Sequence, residues 1–277
     1  MSPRTTSRST PVVALLTDFG MTDHYVAAMK GVITSHVPDI SIIDISHTIE
    51  PGHIRSGAYA LWAVHTSLPK KCVCIAVVDP GVGTERDILC ADVEGRTYLA
   101  PDNGLMDILL ASYPRSRSVT VSMRKVRRFL PEAISATFHG RDIFAPIGAR
   151  LAAGMKPEEI GTPRKKTTLP EWRVSGEESS VSPAIMSVDR FGNIVTNIAS
   201  TNITGAQKVI RAISVGKVMI SVTVGTFAGA PENTPCIIAG SSGLIEIIVR
   251  NGSAAEILRA NDRSTIRIVW DKDIEEA

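Results

Sequence analysis

Apolar and polar positions follow two rhythms along this chain. Val12 to Leu16 is a short apolar run that closes on the polar segment Thr17-Asp18-Phe19-Gly20, the pattern of a buried strand ending in a loop. Val26, Met29, Ile33 and Val37 then recur at helical spacing, with Asp23 placed to cap the helix they imply. Ser41 to Ile45 is β-rich, and Ile54, Ala58, Leu61, Trp62 and His65 line one helix face, His65 as part of the core. Cys72 to Val78 is apolar without interruption, which a strand of a parallel sheet buried on both faces requires. Arg86 to Val93 and Arg96 to Leu99 flank Glu94-Gly95 as a hairpin, and a helix from Asp142 carries Ile143, Ile147 and Leu151 before stopping near Gly154. Helices alternating with such strands predict an α/β domain with a largely parallel sheet.

The rhythm changes after Gly161. The stretch GTPRKKTTLPEWRVSGEESS is rich in Pro, Gly, Ser and charge, and short strand signals follow it: 184–188, 193–198, 218–224, 236–239, 244–249 and 265–270. The expected organisation is a disordered tail at 1–10, an α/β domain at 11–165, a linker at 166–182 and a smaller β-barrel-like domain at 183–277.

Composition narrows the classes. With 44% hydrophobic and 21% charged residues the chain is an ordinary globular protein, and a formal charge of +2 gives no reason to expect nucleic acid or an anionic membrane as partner. The basic run Arg124, Lys125, Arg127 and Arg128 has no interleaved aromatic stacking residues and reads as a solvated strip. Cys72, Cys74, Cys90 and Cys236 form no C-x-x-C pair or zinc spacing; a reducing, cytoplasmic compartment is expected, with the cysteines as small hydrophobes. No apolar run approaches the ~20 residues that span a bilayer, and the opening MSPRTTSRSTP lacks the hydrophobic stretch of a secretory signal.

Polar segments interrupt the apolar pattern at TDFGMTD (from Thr17), VVDPGVGTER (from Val77), PDNG (from Pro101), TFHGRD (from Thr137), SVDRFGNIVTN (from Ser187) and SSGLIE (from Ser241). The DFG triplet invites a kinase reading, yet only a short tail precedes Asp18, where a kinase needs its glycine-rich loop, strand lysine and catalytic loop. No phosphate-binding loop of the Walker type is present. Asp18 and Asp79 each follow a buried strand, where open α/β sheets bind ligands. A carboxylate there can accept two hydrogen bonds from a vicinal diol such as a ribose, or simply cap a turn. Arg86 can fold back onto Asp79, as a catalytic or a structural pair, and His139 is the natural candidate base or a structural loop histidine. A metal set of Asp18, Asp79 and His139 is equally compatible with the spacing.

The ordered set of these segments resembles the S-adenosyl-L-methionine (SAM) hydroxide adenosyltransferases, or SAM hydrolases, relatives of the fluorinase and chlorinase, over about Val12 to Ala254. The resemblance implies a homotrimer with active sites between one subunit's N-terminal domain and its neighbour's C-terminal domain. It implies attack of water-derived hydroxide on C5′ of SAM, giving adenosine and L-methionine, with SAM as substrate and no metal or other cofactor. Asp79, Arg86 and His139 would be catalytic, and Asp18 would hold the ribose hydroxyls. Asp189, Phe191, Asn193, Phe227, Ser241, Glu246 and Val249 would bind the methionine and adenine parts. Gly140 stands where the halogenating pattern offers a halide-binding serine, which favours hydroxide. The alternatives are a halide-dependent adenosyltransferase and a SAM- or adenosine-binding protein without turnover.

Overall fold

The structure is a computed structural model that describes residues 10–165, 169–204 and 210–271. The chain divides into two compact units, Met1–Leu169 and Pro170–Ala277.

The first unit is built on a sheet in the order β2-β1-β3-β5-β4-β6-β7. Its strands are β1 (Val12–Thr17), β2 (Ser41–Ser46), β3 (Val73–Val77), β4 (Ile88–Val93), β5 (Arg96–Pro101), β6 (Arg117–Val121) and β7 (Gly161–Pro163). The neighbours β2-β1-β3-β5 are parallel, and only β4 and β7 run against the common direction, so the sheet is largely parallel. Side chains alternate across it. Val13 and Leu15 of β1 join Met29 and Ile33 of α1 (Tyr25–His36) on one face. Ala14 and Leu16 join Leu61 of α2 (Ile54–Val64) and Leu109 of α3 (Asp107–Ser112) on the other. Helices on both faces explain why β3 is apolar throughout.

The hairpin at Glu94-Gly95 is present, both residues taking positive φ as its tight turn demands. Asp23 does not cap α1: the helix starts at Tyr25 after His24, with no side-chain cap. Tyr25 instead packs edge-on to Phe138 at 5.1 Å between centroids, so aromatic packing, not a carboxylate, fixes the helix start. His65 is core, its Nδ1 lying 2.7 Å from the Tyr98 hydroxyl. All four cysteines are free and buried, and burial pushes the thiol of Cys72 up to about 11 and that of Cys90 to about 12. The basic run is a solvated strip, as expected: Arg124, Arg127 and Arg128 are exposed and Lys125 is half-buried. Lys125 donates to the carbonyls of Glu158 and Gly161, and Arg127 to those of Pro131 and Glu132.

The second unit holds two sheets. One has β10 (Ile210–Val215) between β11 (Val218–Ile220) and β15 (Ile266–Trp270). The other runs β12-β13-β14-β9-β8, formed by Thr223–Val224, Pro235–Ala239, Leu244–Val249, Ile194–Ala199 and Ile185–Val188. Every pairing but β12 with β13 is antiparallel. The stretch read as a linker belongs from Pro170 onward to this unit. Val174 is buried against Ile198 and Ile185, and Asn197 Nδ2 donates to the carbonyls of Trp172 and Ser182. Of the expected tail, only Thr10 lies within the described residues. No described helix is long and apolar enough to cross a membrane.

Candidate active site

β1 lies between β2 and β3, so the chain leaves β1 toward one side and returns on the other. Such a reversal of strand order makes the carboxyl ends of β1 and β3 the usual ligand position of an open α/β sheet. Asp18 follows β1 directly and Asp79 lies two residues past β3. The Asp18 Oδ2 accepts the Gly52 amide at 2.8 Å from the loop between β2 and α2. Burial raises the Asp18 pKa, the amides of Gly52 and Asp18 itself pull against this, and the nearby charge of Asp79 adds to the rise.

Asp79, Arg86 and His139 come together. Asp79 is buried, and its Oδ2 accepts Arg86 Nε at 2.6 Å and is also paired with Nη2. The same Nη2 lies 3.2 Å from Nδ1 of His139. A guanidinium only donates, so Nδ1 is the acceptor and the neutral ring carries its proton on Nε2. Burial first, then the Arg86 charge, lowers the His139 pKa below its ordinary 6.5, with Asp79 and Asp142 opposing. Asp79 Oδ1 is buried and has no hydrogen-bond partner among the described residues, which leaves an acceptor for a bound donor.

Local geometry explains this convergence. Gly83 has φ of +83°, and a Cβ there would stand 2.5 Å from the Ala136 carbonyl oxygen. Only glycine lets the 79–86 loop close onto the segment leading to His139. His139 then enters a π-helical turn, Gly140–Phe144, ahead of the helix Ala145–Ala152. The expected helix start at Asp142 is therefore earlier and wider, a widening often met at functional sites. Asp142 accepts the Ser135 amide at 2.8 Å and pairs with Arg141, which fixes the turn. Among the described residues, no group of three His, Cys, Asp or Glu side chains is arranged to hold a metal ion.

A titration follows from this geometry. Arg86→Gln removes the positive neighbour that disfavours the imidazolium, so the His139 pKa should rise. NMR of the His139 ring against pH reads this directly, and an unchanged midpoint would show that Arg86 does not govern it.

The second unit carries a cavity of about 690 Å³ lined by Phe191, Asn193, Phe227, Val249 and the turn Arg250-Asn251-Gly252. Phe191 and Phe227 are 73% and 49% exposed, leaving ring faces open at the cavity wall. Asp189 holds two of the lining residues. Its Oδ1 accepts the amides of Phe191 at 2.8 Å and Asn193 at 2.9 Å, and its Oδ2 accepts Asn193 Nδ2 at 2.8 Å. Gly192 is required in that turn, having positive φ and a hydrogen where a Cβ would meet Ser253 Oγ at 2.0 Å. Glu246 sits mid-strand over Gly240, its pKa raised by burial and then by Asp189. Ser241 is exposed on the β13–β14 turn. Thus Phe191, Asn193, Phe227 and Val249 share the cavity, whereas Asp189, Ser241 and Glu246 are not part of its lining. Sequence reasoning missed Arg250 to Gly252, although Asn-Gly after a strand is a turn signal.

Comparison with known proteins covers almost the whole chain. Residues 13–161 match the model of the SAM hydroxide adenosyltransferase N-terminal domain, and 183–267 match that of the C-terminal domain. The chain is 37% identical over 268 residues to the (R)-S-adenosyl-L-methionine hydrolase of Thermus thermophilus, covering 93% of this chain and 99% of that protein. It is 28% identical to a fluorinase of Actinopolyspora mzabensis over 72% of this chain and 75% of that one. A crystal structure of an uncharacterised conserved protein from Thermotoga maritima superposes with a TM-score of 0.81 at 29% identity, covering 93% of this chain and 100% of that one.

Proposed function

The chain belongs to the SAM hydroxide adenosyltransferase family, and from that premise we propose that it hydrolyses SAM to adenosine and L-methionine by attack of water-derived hydroxide at C5′. The observation that carries the reading is Arg86 bonded at once to buried Asp79 and to neutral His139. A sulfonium departs as a neutral thioether, so the reaction needs no acid at sulfur and no electrons, and no metal or redox cofactor enters it. The requirement is a nucleophile held in line behind C5′, and placement of that kind supplies roughly 7–11 kcal/mol in favourable cases. Arg86 stabilises the developing hydroxide by charge. Asp79 Oδ1, without a donor among the described residues, supports Asp79 as the group that accepts the water's proton while the C5′–O bond forms and the C5′–S bond breaks. His139 Nδ1 is already occupied by Arg86, which supports a role in orienting the guanidinium.

In this reading Asp18 clamps the ribose diol. Phe227 and Phe191 give stacking faces for adenine, with Val249 main chain and Asn193 at its polar edges. Asp189 holds Asn193 in place, Glu246 supports the same region, and Ser241 meets the amino-acid carboxylate. The two sets of residues complete one site between neighbouring subunits of a homotrimer in the cytoplasm.

Hydroxide rather than halide is supported by Gly140, where a Cβ would stand 3.0 Å from the Phe19 ring and 3.2 Å from Met29 Sδ. A serine at this position needs those side chains to move. The purified protein incubated with SAM should release adenosine and methionine in equal amounts, read by mass spectrometry. A halogenated nucleoside formed in chloride or fluoride would sink the hydroxide assignment, and tight SAM binding without products would sink the enzyme.

A further inference from the structure

We propose that His47 is a positioning residue that sets the direction of the Asp18 carboxylate, an inference that rests on the ribose-clamp reading above. The loop after β2 grips the Asp18 segment on both sides. Before Asp18, the fully buried Thr17 hydroxyl lies 2.8 Å from His47 Nδ1. After it, the Gly20 amide donates to the His47 carbonyl at 2.7 Å. The same loop supplies the Gly52 amide to the carboxylate itself.

With the His47 ring neutral, the hydrogen bonds run in one consistent direction. His47 Nε2 lies 3.0 Å from Asp44 Oδ1, and a carboxylate accepts, so Nε2 carries the proton. Nδ1 then accepts from the Thr17 hydroxyl, whose oxygen in turn accepts the Phe19 amide at 3.3 Å. Lys30 on α1 anchors the far end, donating to Asp44 Oδ2 at 2.6 Å. A β-bulge makes the alignment possible: Leu15 pairs with Asp44 but Leu16 with Ser46. Skipping Ile45 advances His47 to the level of Thr17. The His47 side chain is only 1% exposed, so it acts through Asp18 and not by touching a ligand.

The test is a double-mutant cycle on adenosine affinity, with SAM kinetics alongside. His47→Ala should raise adenosine Kd and SAM KM about tenfold, the value of roughly one lost hydrogen bond. Its kcat should stay within about twofold, as loss of binding common to ground and transition state requires. His47→Asn keeps an acceptor near the Nδ1 position and should recover most of the affinity, whereas His47→Gln should not. In an Asp18→Ala background the His47→Ala change should add almost nothing. Full additivity there, or Asn no better than Gln, overturns the proposal. Thr17→Val runs the same cycle should His47→Ala fail to fold. The adenosine cycle judges His47 by itself, whereas a wild-type protein that releases no adenosine from SAM would strike the hydrolase reading alone.

Discussion

Arg86→Ala should abolish most release of adenosine from SAM, by about 10²–10³-fold, the effect of removing one preorganised charge from a developing oxyanion. It should also lower the melting temperature. The Asp79 side chain is 2% exposed and its pairing oxygen depends on Arg86, so deletion strands a buried carboxylate at a cost of about 3–5 kcal/mol. The two effects separate in the combined variant Asp79→Asn with Arg86→Gln. A neutral amide pair removes the stranded charge and should recover most of the melting temperature, while turnover stays as low as in Arg86→Ala. Calorimetry and product analysis on the same preparations read both. Turnover recovering in step with stability would mean that Arg86 serves the fold only.

Asp18→Ala should weaken adenosine binding by about 10²-fold, since two hydrogen bonds from a ribose to a charged acceptor are lost. The cost to stability should be small, because the Gly52 amide that Asp18 accepts stands in a partly solvated loop where water can replace the carboxylate. The opposite profile, unchanged affinity with a large fall in stability, would make Asp18 a loop staple. Arg86→Ala is expected to keep adenosine affinity, so the two variants fail at different steps.

The differing roles follow from what each residue touches, and the same consideration explains which parts of the site were legible in the sequence. Asp18 and Asp79 stand out because each closes an apolar run where open α/β sheets bind ligands, although a turn cap or a structural pair fits the same spacing. Arg86 is readable because Pro80, Gly81 and Gly83 give its loop the turns needed to fold back. His139 is a lone histidine by sequence, and its link to Arg86 depends on Gly83 meeting Ala136, a contact between segments some fifty residues apart. His47 is harder still. Its place beside Thr17 depends on a one-residue bulge, and a register shift leaves no mark in a β-rich run such as Ser41-Ile42-Ile43-Asp44-Ile45. Asp189 is a different case. DRFGN looks like a ligand segment, yet three local hydrogen bonds occupy its carboxylate, and the cavity belongs to the neighbours it holds. β10 went unread because Arg211 and Ser214 break its apolar run, and pairing with β15, far along the chain, supplies what the local pattern lacks.

With hydroxide as the nucleophile, a solvent-derived oxygen ends up on C5′ of the nucleoside. The most direct measurement is a single turnover of SAM in water enriched with heavy oxygen, followed by mass analysis of both products. One heavy oxygen should appear in adenosine, at the 5′ hydroxyl, and none in methionine. Unlabelled adenosine, or label in methionine, would contradict hydroxide attack at C5′.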